Sequence, residues 1–244
     1  FTMNKLIVFS MFLVMSVDGA VRSRRSSSIS AAVCPGDSCA MPSSLVTDQQ
    51  AQDIVNTHNA MRSSINAMAM RKLHYNATLA NRAQAMADKC KIAHEETCLC
   101  DGKPLGQNIF VNMGSNDYET PAKGVVQYVQ NWFNEISDYD PIKDTCKEGK
   151  ICGHFKQIAW KKSHQIGCGI RRCKKEGRSF PFWEVLVCDY YPAGNVDGIL
   201  PYTQGTTCSQ CNKLDYKPTH AYKCTGKLCD GCQAGTAGCT SSCA

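Results

Sequence analysis

The sequence predicts an α+β fold, an α-β-α sandwich with an antiparallel sheet between helices, followed by a disulfide-rich C-terminal extension. Two observations predict the sandwich. Apolar residues recur at helical spacing in three segments before residue 137, and segments 154–160, 165–172 and 182–190 then read as strands. A third observation predicts the extension, because seven cysteines lie among the last 37 residues, a segment that cannot bury a conventional core.

Three helices account for the helical part of this prediction. The first is expected to begin near Thr47 or Asp48, since either side chain can cap a helix N-terminus. The second is expected over residues 78–90, and Thr120-Pro121 predicts the start of the third. The apolar stripe of the first helix contains Ile54, Val55, His58 and Met61, and that of the third contains Val125, Val126, Val129, Trp132, Phe133 and Ile136.

The N-terminal segment predicts an extracellular protein. Residues 1–20 have the short charged region, apolar run and small-residue end of a secretory signal peptide. Seventeen cysteines behind such a segment predict a disulfide framework, and the odd count leaves one thiol free or paired with another chain. We expect a flexible leader over residues 21–46, the main domain over 47–200 and the cysteine-rich extension over 201–244, with no transmembrane segment.

The chain is basic, with a formal net charge of +6. Its cationic side chains gather at residues 22–25 and 171–178. For the second cluster we favour a solvated hairpin end over a patch that binds anionic lipid or heparin. The sequence has no nucleic-acid-binding module and no aromatic residues interleaved with this charge, so nucleic acid is not an expected partner.

Four motifs carry a resemblance to a known family. Residues 153–163 read Gly-His-Phe-Lys-Gln-Ile-Ala-Trp-Lys-Lys-Ser, and residues 187–195 read Val-Cys-Asp-Tyr-Tyr-Pro-Ala-Gly-Asn. Residues 58–62 read His-Asn-Ala-Met-Arg, and residues 106–110 read Gly-Gln-Asn-Ile-Phe, with glutamine where the family has glutamate. In this order the motifs resemble the CAP superfamily of cysteine-rich secretory, venom-antigen and pathogenesis-related proteins. The chain most resembles the venom-allergen-like proteins of parasitic worms and venom glands.

The resemblance implies a polar cleft built from four side chains, His94, His154, Glu135 and Gln107. Imidazole nitrogens bind zinc or copper well, and a carboxylate can orient an imidazole through its other nitrogen. Two histidines and one glutamate form an incomplete site, so we expect weak binding of zinc or another divalent metal and no required cofactor. The same residues also fit a hydrogen-bonded cleft that only stabilises the fold. The sequence favours the metal site and the structural cleft equally.

The resemblance also implies a lipid site, because some family members hold a fatty acid between the first and third helices. The expected lining residues are Ile54, Val55, Val125, Val129, Trp132, Phe133 and Ile136. Ordinary core packing explains the same apolar stripes. Sterol binding is the weaker inference, since the loop over residues 137–152 carries Cys146 and Cys152, a departure from the family's sterol-binding pattern.

Covalent features complete the predicted site residues. The resemblance implies three disulfides, which link Cys168 to Cys188, Cys90 to Cys173 and Cys146 to Cys152. Asn76-Ala77-Thr78 is an N-glycosylation sequon, so Asn76 is an expected glycan site. In the extension, Cys208, Cys211, Cys229 and Cys232 match zinc-ribbon spacing, but behind a signal peptide disulfides are favoured.

The predicted function is binding rather than catalysis. We expect a secreted, glycosylated CAP-domain protein that binds a fatty acid or another lipid, a host or extracellular protein, or both, in an immunomodulatory or venom-like role. One alternative is a metal-dependent hydrolase or protease that uses the His/Glu cleft, although residues 94–98 lack the second histidine of a His-Glu-x-x-His protease and nothing in the sequence activates Ser163. The other alternative is a purely structural disulfide module.

Overall fold

The computed structural model describes residues 43–95, 102–114, 124–175, 177, 181–214 and 222–231. The helices are α1 (Asp48–Ser64), α2 (Ala77–Ala87), α3 (Val125–Asn134) and α4 (Gly153–Ile158), with 3₁₀ turns at Glu135–Asp138 and Cys211–Lys213. The strands are β1 (His74–Tyr75), β2 (Gly106–Gly114), β3 (Tyr139–Asp140), β4 (Thr145–Cys146), β5 (Gln165–Lys174), β6 (Phe182–Tyr191), β7 (Tyr222–Thr225) and β8 (Leu228–Gly231). The predicted signal peptide, residues 21–42 of the predicted leader and Thr120-Pro121 lie outside the described residues. No helix within these ranges is long and apolar enough to cross a membrane.

The central sheet has four strands in the order β1-β5-β6-β2. The short strand β1 is parallel to β5, whereas β5, β6 and β2 form an antiparallel meander. In its register Cys168 lies opposite Cys188, and Asn108 lies on the other side of Cys188. The strands predicted at residues 165–172 and 182–190 are therefore present, and they end two residues and one residue later, at Lys174 and Tyr191.

Helices cover both faces of this sheet, as the predicted sandwich requires. On one face Ala83 and Met86 of α2 pack against Val185 and Val187 of β6. On the other face α1 and α3 form the larger core cluster together with Leu186, Cys188 and Tyr190. Successive β6 side chains thus enter opposite cores, because side chains alternate along a strand. The α-β-α prediction is confirmed.

The strand predicted at residues 154–160 is wrong, because these residues form α4 and the turn that follows it. Lys156 N donates to Cys152 O and Ala159 N donates to Phe155 O, both at helical spacing. Phe155, Ile158 and Ala159 are all completely buried. A short segment that is apolar on most sides fits a strand and a helix equally well, so periodicity misassigned it. The third strand of the meander is instead β2.

The start of α1 follows its capping signal. Thr47 caps α1 with a capping box, since its side chain accepts from Gln50 N while the Gln50 side chain accepts from Thr47 N. Among the described residues α3 begins at Val125 and ends at Asn134, so Ile136 lies in the 3₁₀ turn and not on the helix as predicted.

The end of the predicted leader is packed against the domain. Ser44 Oγ donates to Cys168 O at 2.8 Å, and Leu45 N donates to Gln84 Oε1 at 2.9 Å. Val46 joins the core cluster beneath α1 and α3. Residues 44–46 are therefore part of the fold, and a flexible leader over residues 21–46 is too long at its C-terminal end.

The extension is attached to the main domain by hydrogen bonds and by charge. Cys229 N donates to Met70 O at 2.7 Å, and Lys72 Nζ pairs with Asp230 at 2.8 Å. Inside the extension, disulfides join Cys208 to Cys224 and Cys211 to Cys229. These four sulfurs are consumed in disulfides, which supports the disulfide interpretation of this segment over a zinc ribbon.

Two glycines of β5 allow α2 to lie directly on the sheet. A Cβ atom on Gly169 would stand 2.2 Å from Gln84 N, and one on Gly167 would stand 2.1 Å from Ala80 N. Both neighbours are helix backbone atoms, which cannot move without displacing the helix. The gap between α2 and β5 is thus set by the absence of side chains on this strand.

This packing predicts that two glycine-to-alanine variants differ in their free energy of unfolding. Gly169→Ala should lower the free energy of unfolding by about 1–3 kcal/mol, because the methyl group overpacks the α2 interface. Gly153→Ala is the matched control, since its Cβ would have its nearest neighbour at 3.9 Å. Chemical denaturation of both variants measures the effect. Equal stability of Gly169→Ala and Gly153→Ala would contradict the close approach.

Candidate functional site

The cleft histidine His154 is held by Glu135. His154 Nδ1 and Glu135 Oε1 are 2.6 Å apart, and because a carboxylate only accepts, the imidazole donates through Nδ1. Glu135 Oε2 also accepts from Phe155 N at 3.0 Å, so the same carboxylate fixes the first turn of α4. The Trp132 ring stacks on the imidazole at 6.0 Å between centroids. Glu135 and Trp132 therefore set both the tautomer and the ring plane of His154.

The second cleft histidine, His94, is held by Gln107. His94 Nδ1 lies 3.1 Å from Gln107 Oε1, and Gln107 Nε2 donates to Asp189 Oδ1 at 2.9 Å. Because the amide nitrogen faces Asp189, the amide oxygen faces His94 and accepts its Nδ1 proton. Partial burial lowers the pKa of His94, and the charge of the nearby His154 lowers it further, while the Gln107 bond opposes the shift. His94 and His154 thus share one electrostatic environment.

Asp189 is a buried polar residue behind the cleft that the sequence analysis did not select. It lies opposite Gln107 in the β2–β6 register and is completely buried. Burial raises the pKa of this carboxyl group to about 7, opposed by the hydrogen bond from Gln107 and by the charge of Arg82. Its Oδ2 is buried without a hydrogen-bond partner. An acidic residue inside the apolar run of residues 185–190 is the signal that could have identified it.

A buried hydrogen-bond chain connects this cleft to the first helix. Asn108 Nδ2 donates to His154 O at 3.1 Å and to Tyr190 Oη at 3.3 Å. His58 Nδ1 donates to Ile54 O at 2.7 Å, so Nε2 accepts from Tyr190 Oη at 2.8 Å. Burial lowers the pKa of His58 to about 4 and keeps the ring neutral at pH 7. His58 therefore packs and does not face the cleft.

Each of the two histidines keeps one ring nitrogen that no described residue engages. In the neutral imidazoles of His94 and His154 the Nδ1 proton is engaged, which leaves each Nε2 as a ligand atom. Among the described residues, no third histidine, cysteine or carboxylate ligand joins these two nitrogens within metal-binding distance. The grouping that does meet this criterion is Cys208, Cys211 and Cys229, whose sulfurs are in disulfides. Two imidazole nitrogens suit a divalent metal ion whose remaining ligands are water molecules.

Most of the predicted lipid-binding side chains lie in the core. Ile54 and Val129 are fully buried, and Val125 and Trp132 are each 2% exposed. Val55 and Phe133 are partly buried against the same cluster, and Ile136 is 37% exposed. The structure therefore brings the predicted residues of α1 and α3 together, but it uses four of the seven for packing.

The remaining predicted site residues have defined positions. The structure links Cys90 to Cys173, Cys146 to Cys152 and Cys168 to Cys188, the three pairs that the resemblance implied. Asn76 is the N-cap of α2, where its Oδ1 accepts from Thr78 N and Leu79 N. Its Nδ2 donates one proton to Gln165 Oε1, and the other is available for a glycan. Glycosylation at Asn76 stays a prediction.

Ser163 is not arranged as a nucleophile. It is fully buried, its Oγ donates to Pro192 O at 2.7 Å, and Gln157 Nε2 donates to it at 3.3 Å. A serine nucleophile needs a base that accepts its proton, whereas this proton goes to a backbone carbonyl.

The buried carboxyl group predicts a pH-dependent stability. Between its ordinary pKa of 3.8 and about 7, Asp189 keeps its proton in the folded state but loses it in the unfolded state. Its contribution is therefore fully present below pH 4 and is lost as the pH rises to 7, by up to about 1.4 kcal/mol per pH unit. Asp189→Asn should remove this decline, as measured by denaturant unfolding from pH 4 to pH 8. Asp197→Asn, which removes an exposed acid, should keep it, and an unchanged slope in Asp189→Asn would contradict the assignment.

The comparisons with known proteins agree with this fold. The model of the family "CAP: Cysteine-rich secretory protein family" matches residues 55–190. Human Peptidase inhibitor 16 is 32% identical over 192 residues, which are 78% of this chain and 38% of that protein. Mouse GLIPR1-like protein 1 is 35% identical over 178 residues, 69% of this chain and 70% of that protein. The chain thus spans well under half of Peptidase inhibitor 16 and about two thirds of the GLIPR1-like protein.

Solved structures give the same result. Na-ASP-1 matches with a TM-score of 0.59 and 25% identity over 80% of this chain and 51% of that chain. BmVAL-1 matches with a TM-score of 0.58 and 24% identity over 78% of this chain and 98% of that chain. These neighbours are of the parasite venom-allergen-like kind that the resemblance predicted. With the family model covering more than half of its residues, the chain belongs to the CAP family of cysteine-rich secretory proteins.

Proposed function

We propose that this chain is an extracellular binding protein whose His94–His154 cleft binds a divalent metal ion, zinc above all. The observation that carries the proposal is the engagement of both Nδ1 protons, by Glu135 and by Gln107, which leaves both Nε2 atoms available to a ligand. Carboxylates that hold ligating histidines in this way raise their basicity and fix their orientation. A bound ion would supply positive charge to which an anionic or carbonyl group of a partner could bind.

Binding is a better account of this cleft than hydrolysis. A metal-dependent hydrolase needs a further protein ligand or a free general base beside the ion. Both Glu135 oxygens are already engaged, one by His154 and one by the backbone of Phe155. Gln107 contributes no charge. Two neutral imidazoles suit a weakly held ion that takes part in recognition.

Zinc affinity tests the proposal directly. His94→Ala or His154→Ala should weaken zinc binding at least about tenfold in calorimetry at pH 7.5. Glu135→Gln should weaken it about 10–100-fold, because an amide offers one acceptor oxygen to the two donors His154 Nδ1 and Phe155 N. His164→Ala is the matched control, because this ring lies on the carbonyl of Lys162 and against Tyr191. Zinc affinity that is the same in all four variants and in the wild type would overturn the proposal.

The hydrogen bond between Gln107 and Asp189 predicts that substitutions at these two positions have non-additive effects on zinc affinity. Gln107→Glu alone places a second carboxylate against Asp189, where the amide nitrogen now stands 2.9 Å from Asp189 Oδ1. When Gln107→Glu is combined with Asp189→Asn, the new amide at position 189 can donate to the new carboxylate at position 107. The hydrogen bond is then restored, and the negative charge lies beside His94. The double variant should therefore bind zinc more tightly than either single variant, whereas additive effects in the same titration would contradict this network.

A second candidate function is the binding of a fatty acid along α3. It is supported by the apolar side chains that α3 and the following turn leave in solvent, since Val126 is 44% and Ile136 is 37% exposed. Phe133 lies between them and is partly buried. Each buried acyl methylene would contribute about 0.8 kcal/mol. Four of the predicted lining residues are core residues, so an acyl chain would follow this outer strip or require α1 and α3 to separate.

Variants on the outer strip test the lipid function without damage to the core. Val126→Asp or Ile136→Asp should weaken binding of a fluorescent fatty acid at least about tenfold, because each places a charge against the acyl chain. Gln127→Asp adds the same charge on a neighbouring exposed position and is the control. No saturable binding by the wild-type protein would rule out this function and leave an extracellular protein as the expected partner.

A further inference from the structure

A small cationic pocket lies where the main domain meets the extension. It encloses about 60 Å³, and three of the side chains that line it are Lys161, Lys162 and Lys213. Lys161 and Lys162 follow α4 in the main domain, whereas Lys213 lies in the 3₁₀ turn Cys211–Lys213 of the extension. The pocket is thus formed only when the two parts are joined. It is separate from the His94–His154 cleft.

Among the described residues, nothing balances the charge of this pocket. The described residues that line it include no carboxylate, and none of the three ammonium groups lies within ion-pair distance of a described acidic side chain. Burial lowers the pKa of Lys161, and the charge of Lys162 lowers it further. Lys161 is partly buried, whereas Lys162 and Lys213 are exposed. Neighbouring like charges repel one another, so an anion between them would stabilise the arrangement.

The walls of the pocket are held by hydrogen bonds from three segments. Lys161 Nζ donates to Thr203 Oγ1 at 3.3 Å, and Lys161 N donates to Pro201 O at 2.7 Å. Met68 N donates to Thr203 O and Gln210 N donates to Met68 O, each at 2.9 Å. The disulfide between Cys211 and Cys229 fixes the start of the turn that carries Lys213. The ammonium groups therefore extend from an ordered frame.

The floor of the pocket is apolar. Ala69 is 8% exposed and Leu214 is 5% exposed, and both belong to the core cluster of the extension. An apolar floor lowers the local dielectric constant and strengthens the attraction between lysines and an anion. The volume suits one compact group.

We propose that this pocket binds one tetrahedral oxyanion, a sulfate or phosphate group, through Lys161, Lys162, Lys213 and Thr203. The ammonium groups donate charge-assisted hydrogen bonds to its oxygens. Thr203 Oγ1 already accepts from Lys161, so its own hydroxyl proton is free to donate to the anion. In an extracellular protein the group comes either from a free inorganic ion or from an ester on a sulfated saccharide, and the chemistry of recognition is the same.

Titration calorimetry of the full chain tests this site at constant ionic strength. The probes are sodium sulfate, sodium phosphate and a sulfated disaccharide, with sodium chloride as the reference salt. Wild-type protein should show saturable binding of at least one oxyanion probe. The Lys161→Ala/Lys213→Ala double variant should lose at least about tenfold in affinity, since each lost charged hydrogen bond is worth more than a factor of ten.

The control has the same net charge as the double variant. Lys150→Ala/Lys175→Ala removes two exposed lysines that do not line the pocket and should keep wild-type affinity within about twofold. Tighter binding of the disaccharide than of the inorganic ions would identify a saccharide ester as the source, and the reverse order would identify a free ion. Absence of saturable binding by every probe, or an equal loss in the control, would overturn the site. A thermal unfolding scan of both double variants checks that they fold.

Discussion

The guanidinium group of Arg62 is the interaction on which the other parts of the structure depend. It is completely buried near the C-terminus of α1 and donates to four backbone carbonyls, those of Arg71, Ile158, Trp160 and Ser163. Burial lowers the pKa of Arg62 to about 9, so it remains charged at neutral pH. Buried carbonyls without donors are costly, and one side chain here satisfies four. Arg62 thereby fixes the end of α4 and the segment between α4 and β5, in which the pocket residues Lys161 and Lys162 lie.

Two further hydrogen-bond systems reach the cleft. One runs from His58 through Tyr190 and Asn108 to the backbone of His154. The other runs from Asp189 through Gln107 to His94. The first is neutral and wholly structural, whereas the second contains a carboxyl group that titrates near neutral pH. The cleft therefore has one histidine on a fixed support and one on a support whose charge changes with pH.

Much of this organisation could be predicted from the sequence, for identifiable physical reasons. Capping residues and apolar periodicity along the chain predict the cap at Thr47, the two long strands and the sandwich. The α4 segment was misassigned because burial on most sides removes the periodicity that separates a helix from a strand. Asp189 and the pocket lysines were not found, because their roles arise from contacts across the sheet and across the junction with the extension, which spacing along the chain does not contain. The His94, His154, Glu135 and Gln107 set came from family resemblance, and the structure adds the direction of each hydrogen bond.

The central claim is that His94 and His154 are both protonated at Nδ1 and present Nε2 to the cleft. Nitrogen NMR of histidine-labelled protein at pH 7.5 tests it most directly, with resonances assigned from the His94→Ala and His154→Ala spectra. The account predicts that both rings are Nδ1–H tautomers and that zinc shifts their Nε2 resonances while the Nδ1 protons remain. Detection of the Nε2–H tautomer at either ring, or Nε2 resonances that do not respond to zinc, would contradict it.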